Sequence, residues 1–224
     1  MLKYFTVNTI AELLCFLIAC ICLIKDRSWV WRSMIIFLLL TCAVEMTGIY
    51  IRKLYMADPV NISPNVWVYN ILMIFQAGFI SAMFASILKK YKNAGPVILT
   101  GLALLLLLYV YEIISHGIFK KNTITTVTMS VLFVIYSFYY FYCLLRDERY
   151  VDLKYSPDFW WVAGILFFYF GAITYNLFYQ MLRDIIITPK PYLRYIFYVL
   201  NLLLYGCMSY SFICRKWSTK ASET

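Results

Sequence analysis

The chain has 224 residues, of which 63% are apolar, 20% aromatic and only 14% charged, with a mean hydropathy of +0.75. A soluble domain carries about a quarter charged residues, and a small globular protein keeps too much wetted surface to bury this apolar excess. The composition therefore excludes a soluble enzyme and a disordered chain, and it predicts an all-α, polytopic integral membrane protein. The net charge of +9 is explained by residues flanking the spans, so nucleic acid is not an expected partner.

Seven stretches are long and apolar enough to cross the lipid bilayer as helices, which takes about 20 residues each. They cover residues 7–24, 33–51, 66–88, 97–115, 123–145, 159–182 and 195–213. Prolines interrupt helical hydrogen bonding, and all six fall between these stretches or at their ends: Pro59, Pro64, Pro96, Pro157, Pro189 and Pro191. We predict one domain, residues 1–224, with seven transmembrane helices. Similar proline-containing connections before spans three and seven suggest a three-plus-one-plus-three arrangement.

The first stretch is interpreted as a retained span rather than a cleaved signal. Asn8 and Glu12 interrupt it, and apolar residues continue past the segment 17–20 that resembles a lipoprotein cleavage box. Lysines and arginines then indicate the orientation, because twelve lie on the side of the C-terminal tail and eight on the other side. This bias predicts a multi-pass protein of the cell membrane with its N-terminus outside and its C-terminus in the cytoplasm.

No pattern typical of a cofactor or metal site is present. The seven cysteines lie in the spans or at a span end, and the single histidine, His116, lies at the end of span four. Zinc and haem sites need clustered ligands, and neither a nucleophile elbow nor a phosphate-binding glycine loop occurs. We therefore expect no cofactor and no metal.

Polar residues inside the spans fall at one depth. Because adjacent helices run antiparallel, a residue early in an odd-numbered span lies level with one late in an even-numbered span. At 1.5 Å per residue these positions lie very roughly 5–15 Å from the midplane, toward the N-terminal face. The candidate ligand contacts among them are Glu12, Glu45, Asn70, Glu112, Asn176 and Asn201.

Small residues share helix faces with several of these polar residues, at spacings of three, four and seven. Small residues mark where membrane helices approach closely, so these faces are expected to point into the bundle. The sequence therefore predicts one shared polar cavity, open toward the N-terminal face. The faces that support it are Asn8–Glu12–Cys15–Ala19, Thr41–Glu45–Gly48, Asn70–Ala77–Ser81–Ala85 and Ala172–Asn176–Tyr179.

Three glutamates lie inside spans, whereas no lysine or arginine does. A carboxylate at the centre of a membrane helix costs about 2.5–3.5 kcal/mol and usually faces a partner or water. The glutamates are therefore protonated, paired with the flanking Lys3, Arg52, Lys53 or Arg194, or available to a cation. The plainer alternative is that these polar groups are interhelical hydrogen bonds worth about 0.6 kcal/mol each. Glu112, near a span end, could also extend to the interface.

The run Ser156-Pro157-Asp158-Phe159-Trp160-Trp161, continued by Gly164, Tyr169, Gly171 and Tyr175-Asn176, resembles the later spans of a known family. The family is the seven-helix sensory input modules that precede the kinase in some bacterial membrane histidine kinases. In that family a signalling domain follows the last helix, whereas this sequence ends at Thr224. The resemblance implies a stand-alone module whose output is a separate signalling protein on the cytoplasmic side.

We predict a receptor-like or sensory component that binds a small ligand, with a cation as one candidate, in the outward polar cavity. Glu45 and Asn70 would be the primary contacts, supported by Glu12, Asn176 and Asn201. One alternative is a small-solute transporter in which the glutamates couple to protons or cations. Another is an intramembrane lipid-modifying enzyme with paired glutamates as acid and base, although the sequence carries no signature of one.

Overall fold

The computed structural model describes residues 6–60, 62–148, 152–183 and 192–221, with side chains described except at 175–183, 192–194 and 219–221. These residues form seven α-helices and one short 3₁₀ turn, Leu153–Tyr155, with no strand among them. The helices are α1 (Val7–Leu23), α2 (Trp29–Ala57), α3 (Val66–Leu88), α4 (Gly95–His116), α5 (Thr123–Arg146), α6 (Pro157–Arg183) and α7 (Tyr192–Ala221).

Six of these helices, α2 to α7, are long and apolar enough to cross a membrane. The helix α1 is apolar too, but its 17 residues extend only about 26 Å at 1.5 Å per residue. The predicted all-α class is therefore confirmed, and the long apolar helices are consistent with a polytopic membrane protein. Helix α1 lies at the short end of the lengths that span a bilayer.

The helix ends lie where local chemistry sets them. The Thr6 side chain accepts a hydrogen bond from the Thr9 amide and caps α1, and α4 ends before Gly117, whose φ of +78° favours glycine. Helices α2 and α7 extend beyond the predicted spans 33–51 and 195–213, because a charged residue outside the lipid does not end a helix.

The prolines agree with the predicted boundaries as far as they are described. Pro59 and Pro64 lie between α2 and α3, while Pro96 and Pro157 lie in the first turns of α4 and α6. A missing amide is harmless in a first turn, because that amide has no helical partner. Pro189 and Pro191 fall outside the described residues.

The helices follow one another around a single ring, which closes where α1 packs against α7. Helix α4 lies between α3 and α5, and α3 also contacts α5. The odd-numbered helices run from the end of the bundle near residue 7, here called the N-terminal face, to the opposite end, the C-terminal face.

Aromatic packing fills the part of the bundle nearer the C-terminal face. The ring of Phe84 lies 5.3 Å from that of Trp161 and 6.2 Å from that of Phe133, measured between centroids, and all three side chains are buried. Such edge-on and tilted contacts add to the energy of apolar packing. This packing holds α3, α5 and α6 together at that end of the bundle.

Two ion pairs secure the same end of the molecule. The Arg215 guanidinium donates to both oxygens of the buried Asp26 carboxylate, at 2.8 and 3.2 Å, which ties α7 to the connection between α1 and α2. Lys90 pairs with Asp158 and links the α3–α4 connection to the start of α6. A bidentate arginine–carboxylate pair fixes geometry as well as charge, so α7 is held in place at the C-terminal face.

Candidate functional site

Two of the predicted residues come together near the N-terminal face. Glu12 of α1 is buried and accepts a hydrogen bond from the Tyr205 hydroxyl of α7 at 3.1 Å. Glu45 of α2 accepts one from the Tyr69 hydroxyl of α3, also at 3.1 Å. The two carboxylates are close enough to interact electrostatically. We call these four residues the carboxylate–tyrosine cluster.

A glycine makes room for one of the tyrosines. A Cβ atom at Gly48 would overlap the Tyr69 hydroxyl, and the Asn65 side chain donates to the Gly48 carbonyl at 3.0 Å. The close approach of α2 and α3 predicted from Gly48 is therefore observed, because the missing side chain lets the Tyr69 ring lie against α2.

The acceptor capacity of the cluster is only partly used. An ionised carboxylate has roughly four lone-pair sites, while Glu12 and Glu45 each accept one hydrogen bond in the part of the chain that is described. Within that part, no lysine or arginine forms an ion pair with either glutamate. Lys3 and Arg194, proposed from the sequence as partners, lie outside the described side chains. The cluster can therefore accept a cation or further donors.

Metal binding has no support from the geometry. Over the described residues, no three His, Cys, Asp or Glu side chains are placed to hold a metal ion. The nearest additional groups are the buried thiols of Cys15 and Cys42, which interact electrostatically with Glu12.

Glu112 lies elsewhere and has a different role. Its carboxylate accepts hydrogen bonds from the amides of Ile124 and Thr125, at 3.0 and 2.9 Å, and from the Thr125 hydroxyl at 2.7 Å. These amides belong to the first turn of α5, which has no acceptors within its own helix. Glu112 therefore caps α5 from α4, and the positive end of the α5 dipole favours its charge.

Asn70 also serves the connection between α4 and α5. Its amide group donates to the carbonyls of Ile118 and Lys120, at 2.7 and 2.8 Å. Asn122, fully buried in the same connection, has a side-chain amide with no hydrogen-bond partner among the described residues. Asn70 is thus bonded to the α4–α5 connection rather than to the carboxylate–tyrosine cluster.

The remaining candidates are Asn201 and Asn176. The Asn201 side chain donates to the Phe197 carbonyl of its own helix at 2.8 Å, which satisfies it locally. Asn176 belongs to α6, but its side chain lies outside the described residues.

The prediction of one shared cavity is therefore wrong for Glu112, and Asn70 bonds away from the cluster although it lines the same groove as Tyr69. For Asn201 it stays a prediction. Depth, with a shared helix face for Asn70, placed these residues together, but side chains at one depth can face different neighbours around the helix axis. Glu112 and Asn70 face the α4–α5 connection, on the part of the ring away from α1.

Sequence reasoning missed the two tyrosines that hold the carboxylates. The chain contains 21 tyrosines, and nothing in their spacing distinguishes Tyr69 and Tyr205 from those that pack in the core. Each also lines a groove: Tyr205 lines one of about 350 Å³ between α1 and α7, and Tyr69 lines one of about 320 Å³ between α3 and α5. These volumes are typical of small-molecule sites.

No family model, no characterised protein and no solved structure matches the chain.

Proposed function

We propose that this protein is a receptor-like membrane component that binds a small organic cation at the carboxylate–tyrosine cluster. The observation that carries the proposal is the pair Glu12 and Glu45, two carboxylates close enough to interact, each accepting a single described hydrogen bond. When both carboxylates are ionised their charges repel each other, so a cation bound beside them would relieve that repulsion. Binding rather than catalysis is proposed.

The fold suits signalling in the proposed orientation. With α1 as a seventh span and the N-terminal face outside, the cluster lies toward the outer leaflet and the C-terminal end of α7 toward the cytoplasm. The tyrosine that contacts Glu12 and the arginine that contacts Asp26 both belong to α7. A ligand that moves Tyr205 therefore acts on the helix that a separate cytoplasmic signalling protein would contact, as the resemblance to sensory input modules implies.

Transport is the second candidate, and the same pair of glutamates favours it. Ionisable residues inside membranes often mark ion pathways and proton relays, and here α1 and α2 each contribute one. The described helices pack as one ring with α4 between α3 and α5, and this packing does not divide them into two groups of three. The three-plus-one-plus-three arrangement that a transporter would use therefore stays a prediction.

Equilibrium binding of tetramethylammonium to the protein in lipid nanodiscs tests the proposal. We expect saturable binding that weakens at least tenfold in Glu45→Gln and in Glu12→Gln, and no comparable binding of uncharged tert-butanol. Glu148→Gln, which removes an exposed carboxylate near the end of α5, is the matched control and should bind as the original chain does. Equal binding in all variants would contradict the proposal.

Proteoliposomes separate the two candidates. A receptor binds the probe without moving it, whereas a transporter moves labelled tetramethylammonium across the bilayer at a rate that falls in Glu45→Gln. Flux of that kind would show that the protein is a transporter and would contradict the receptor proposal.

A further inference from the structure

The groove between α1 and α7 opens sideways toward the lipid. Val7, Ile10 and Leu14 on its α1 side are 51%, 47% and 54% exposed, so they face hydrocarbon in a membrane. The groove holds about 350 Å³, and almost all of its surface is apolar. Its principal lining residues are Val7, Ile10, Leu14, Leu202, Tyr205 and Gly206.

Tyr205 connects this groove to the buried charge. Its side chain lines the groove, while its hydroxyl donates to the Glu12 carboxylate. Glu12 itself is only 3% exposed. A molecule lying in the groove would therefore contact a side chain that is hydrogen-bonded to Glu12.

From these contacts we infer that the ligand is a cationic amphiphile, with its hydrocarbon chain in the α1–α7 groove and its cationic head group at Glu12. The inference rests on the proposed function and adds the class of ligand and the route from the bilayer. Charge complementarity supports this occupant, since an apolar groove with a wall residue hydrogen-bonded to a buried carboxylate matches a molecule with an apolar tail and a positive head.

The dimensions agree with this occupant. Along α1 the groove extends from Val7 to Ile18, which is about 16 Å at 1.5 Å per residue. Glu12 lies five residues along α1 from Val7, where the groove starts, which is about 7.5 Å along the helix axis. The ligand's hydrocarbon tail, directed from Glu12 toward Ile18, would exchange contacts with the bilayer for contacts with the groove. Its cationic head group would form an ion pair with the Glu12 carboxylate.

Gly206 offers a way to fill the groove without disturbing the cluster. A Cβ at Gly206 would meet no atom within 4 Å, and the same holds for Gly78 of α3, which does not line this groove. Gly206→Leu should therefore occupy the groove, and Gly78→Leu is the matched control with the same change in another helix.

The experiment compares tetramethylammonium with dodecyltrimethylammonium in nanodiscs, with empty nanodiscs subtracted. We expect the long-chain probe to bind at least tenfold more tightly than the short one. Gly206→Leu should abolish that gain and leave tetramethylammonium binding within twofold, whereas Gly78→Leu should change neither. Glu12→Gln should weaken both probes.

Two results would overturn the inference. One is a gain from the long chain that is equal in the original chain and in Gly206→Leu, and the other is no gain at all. Either leaves the proposed function standing if tetramethylammonium binding still depends on Glu12 and Glu45, whereas loss of that dependence defeats the proposed function itself. A Gly206→Leu protein that changes oligomeric state while the chain-length gain persists would assign the groove to a second copy.

Discussion

Glu112 and the pair Glu12–Glu45 are carboxylates at similar depth in different surroundings. Glu112 accepts three hydrogen bonds, two of them from amides that have no acceptor in their own helix. Glu12 and Glu45 each accept one, from a tyrosine hydroxyl on another helix. A buried charge costs free energy unless hydrogen bonds or a counter-charge compensate it.

The comparison separates structural charge from charge that is available to a ligand. The α5 amides stabilise the Glu112 carboxylate and depend on it in turn, so the residue is part of the fold. The carboxylate–tyrosine cluster has unused acceptors and an electrostatic repulsion that a cation would relieve. The number of donors around a membrane carboxylate is therefore more informative than its depth.

The largest expected effect is at Glu112. Glu112→Ala should lower the free energy of unfolding by about 3 kcal/mol, because hydrogen bonds to a charged group contribute about 1.5–3 kcal/mol each and water replaces part of the loss. Unfolding in mixed micelles with increasing dodecyl sulfate measures the change. Glu148→Ala is the control, and an unfolding midpoint shared by both variants would mean that Glu112 does not cap α5.

Asn70 should rank second. Asn70→Ala removes two hydrogen bonds to the α4–α5 connection and should cost about 1–2 kcal/mol at roughly 1 kcal/mol per bond. Trypsin should also cut faster after Lys120 or Lys121, since that segment loses its attachment to α3. Gln76→Ala on the same helix should leave the cleavage rate unchanged, and faster cutting there too would argue against a specific role for Asn70.

The two glutamates of the cluster should affect stability less than either residue. In Glu12→Gln or Glu45→Gln an amide oxygen can still accept the tyrosine hydrogen bond, and the repulsion between the carboxylates disappears. We therefore expect the free energy of unfolding to change by less than about 1 kcal/mol, within the range of mild substitutions. A loss as large as that for Glu112→Ala would show that the pair is structural and would break the comparison.

Asn201 should matter least. Among the described residues its side chain bonds to the Phe197 carbonyl of its own helix, so Asn201→Ala should change the free energy of unfolding by no more than about 0.5 kcal/mol. Tetramethylammonium binding should also be unchanged, because no described contact joins Asn201 to the cluster. Tenfold weaker binding of tetramethylammonium by this variant would show that Asn201 belongs to the binding site.

Part of the candidate site could be predicted from the sequence. Glu12 and Glu45 stand out because a carboxylate inside an apolar span is costly and needs a reason, and Gly48 indicated a close approach that the structure contains. The hydrogen-bond partners Tyr69 and Tyr205 could not be predicted from the sequence, because a tyrosine in an apolar span can pack in many places.

What the sequence by itself determined is the class of protein and the place of each helix, because hydrophobic length and helix-breaking residues act locally along the chain. Even α1, shorter than the others, begins and ends within one residue of the predicted stretch 7–24. What only the tertiary structure decided is the direction in which each polar side chain points. That direction depends on how each helix is rotated against its neighbours, so Glu112 and Asn70 reach the α4–α5 connection, while Glu12 and Glu45 lie close enough to interact electrostatically.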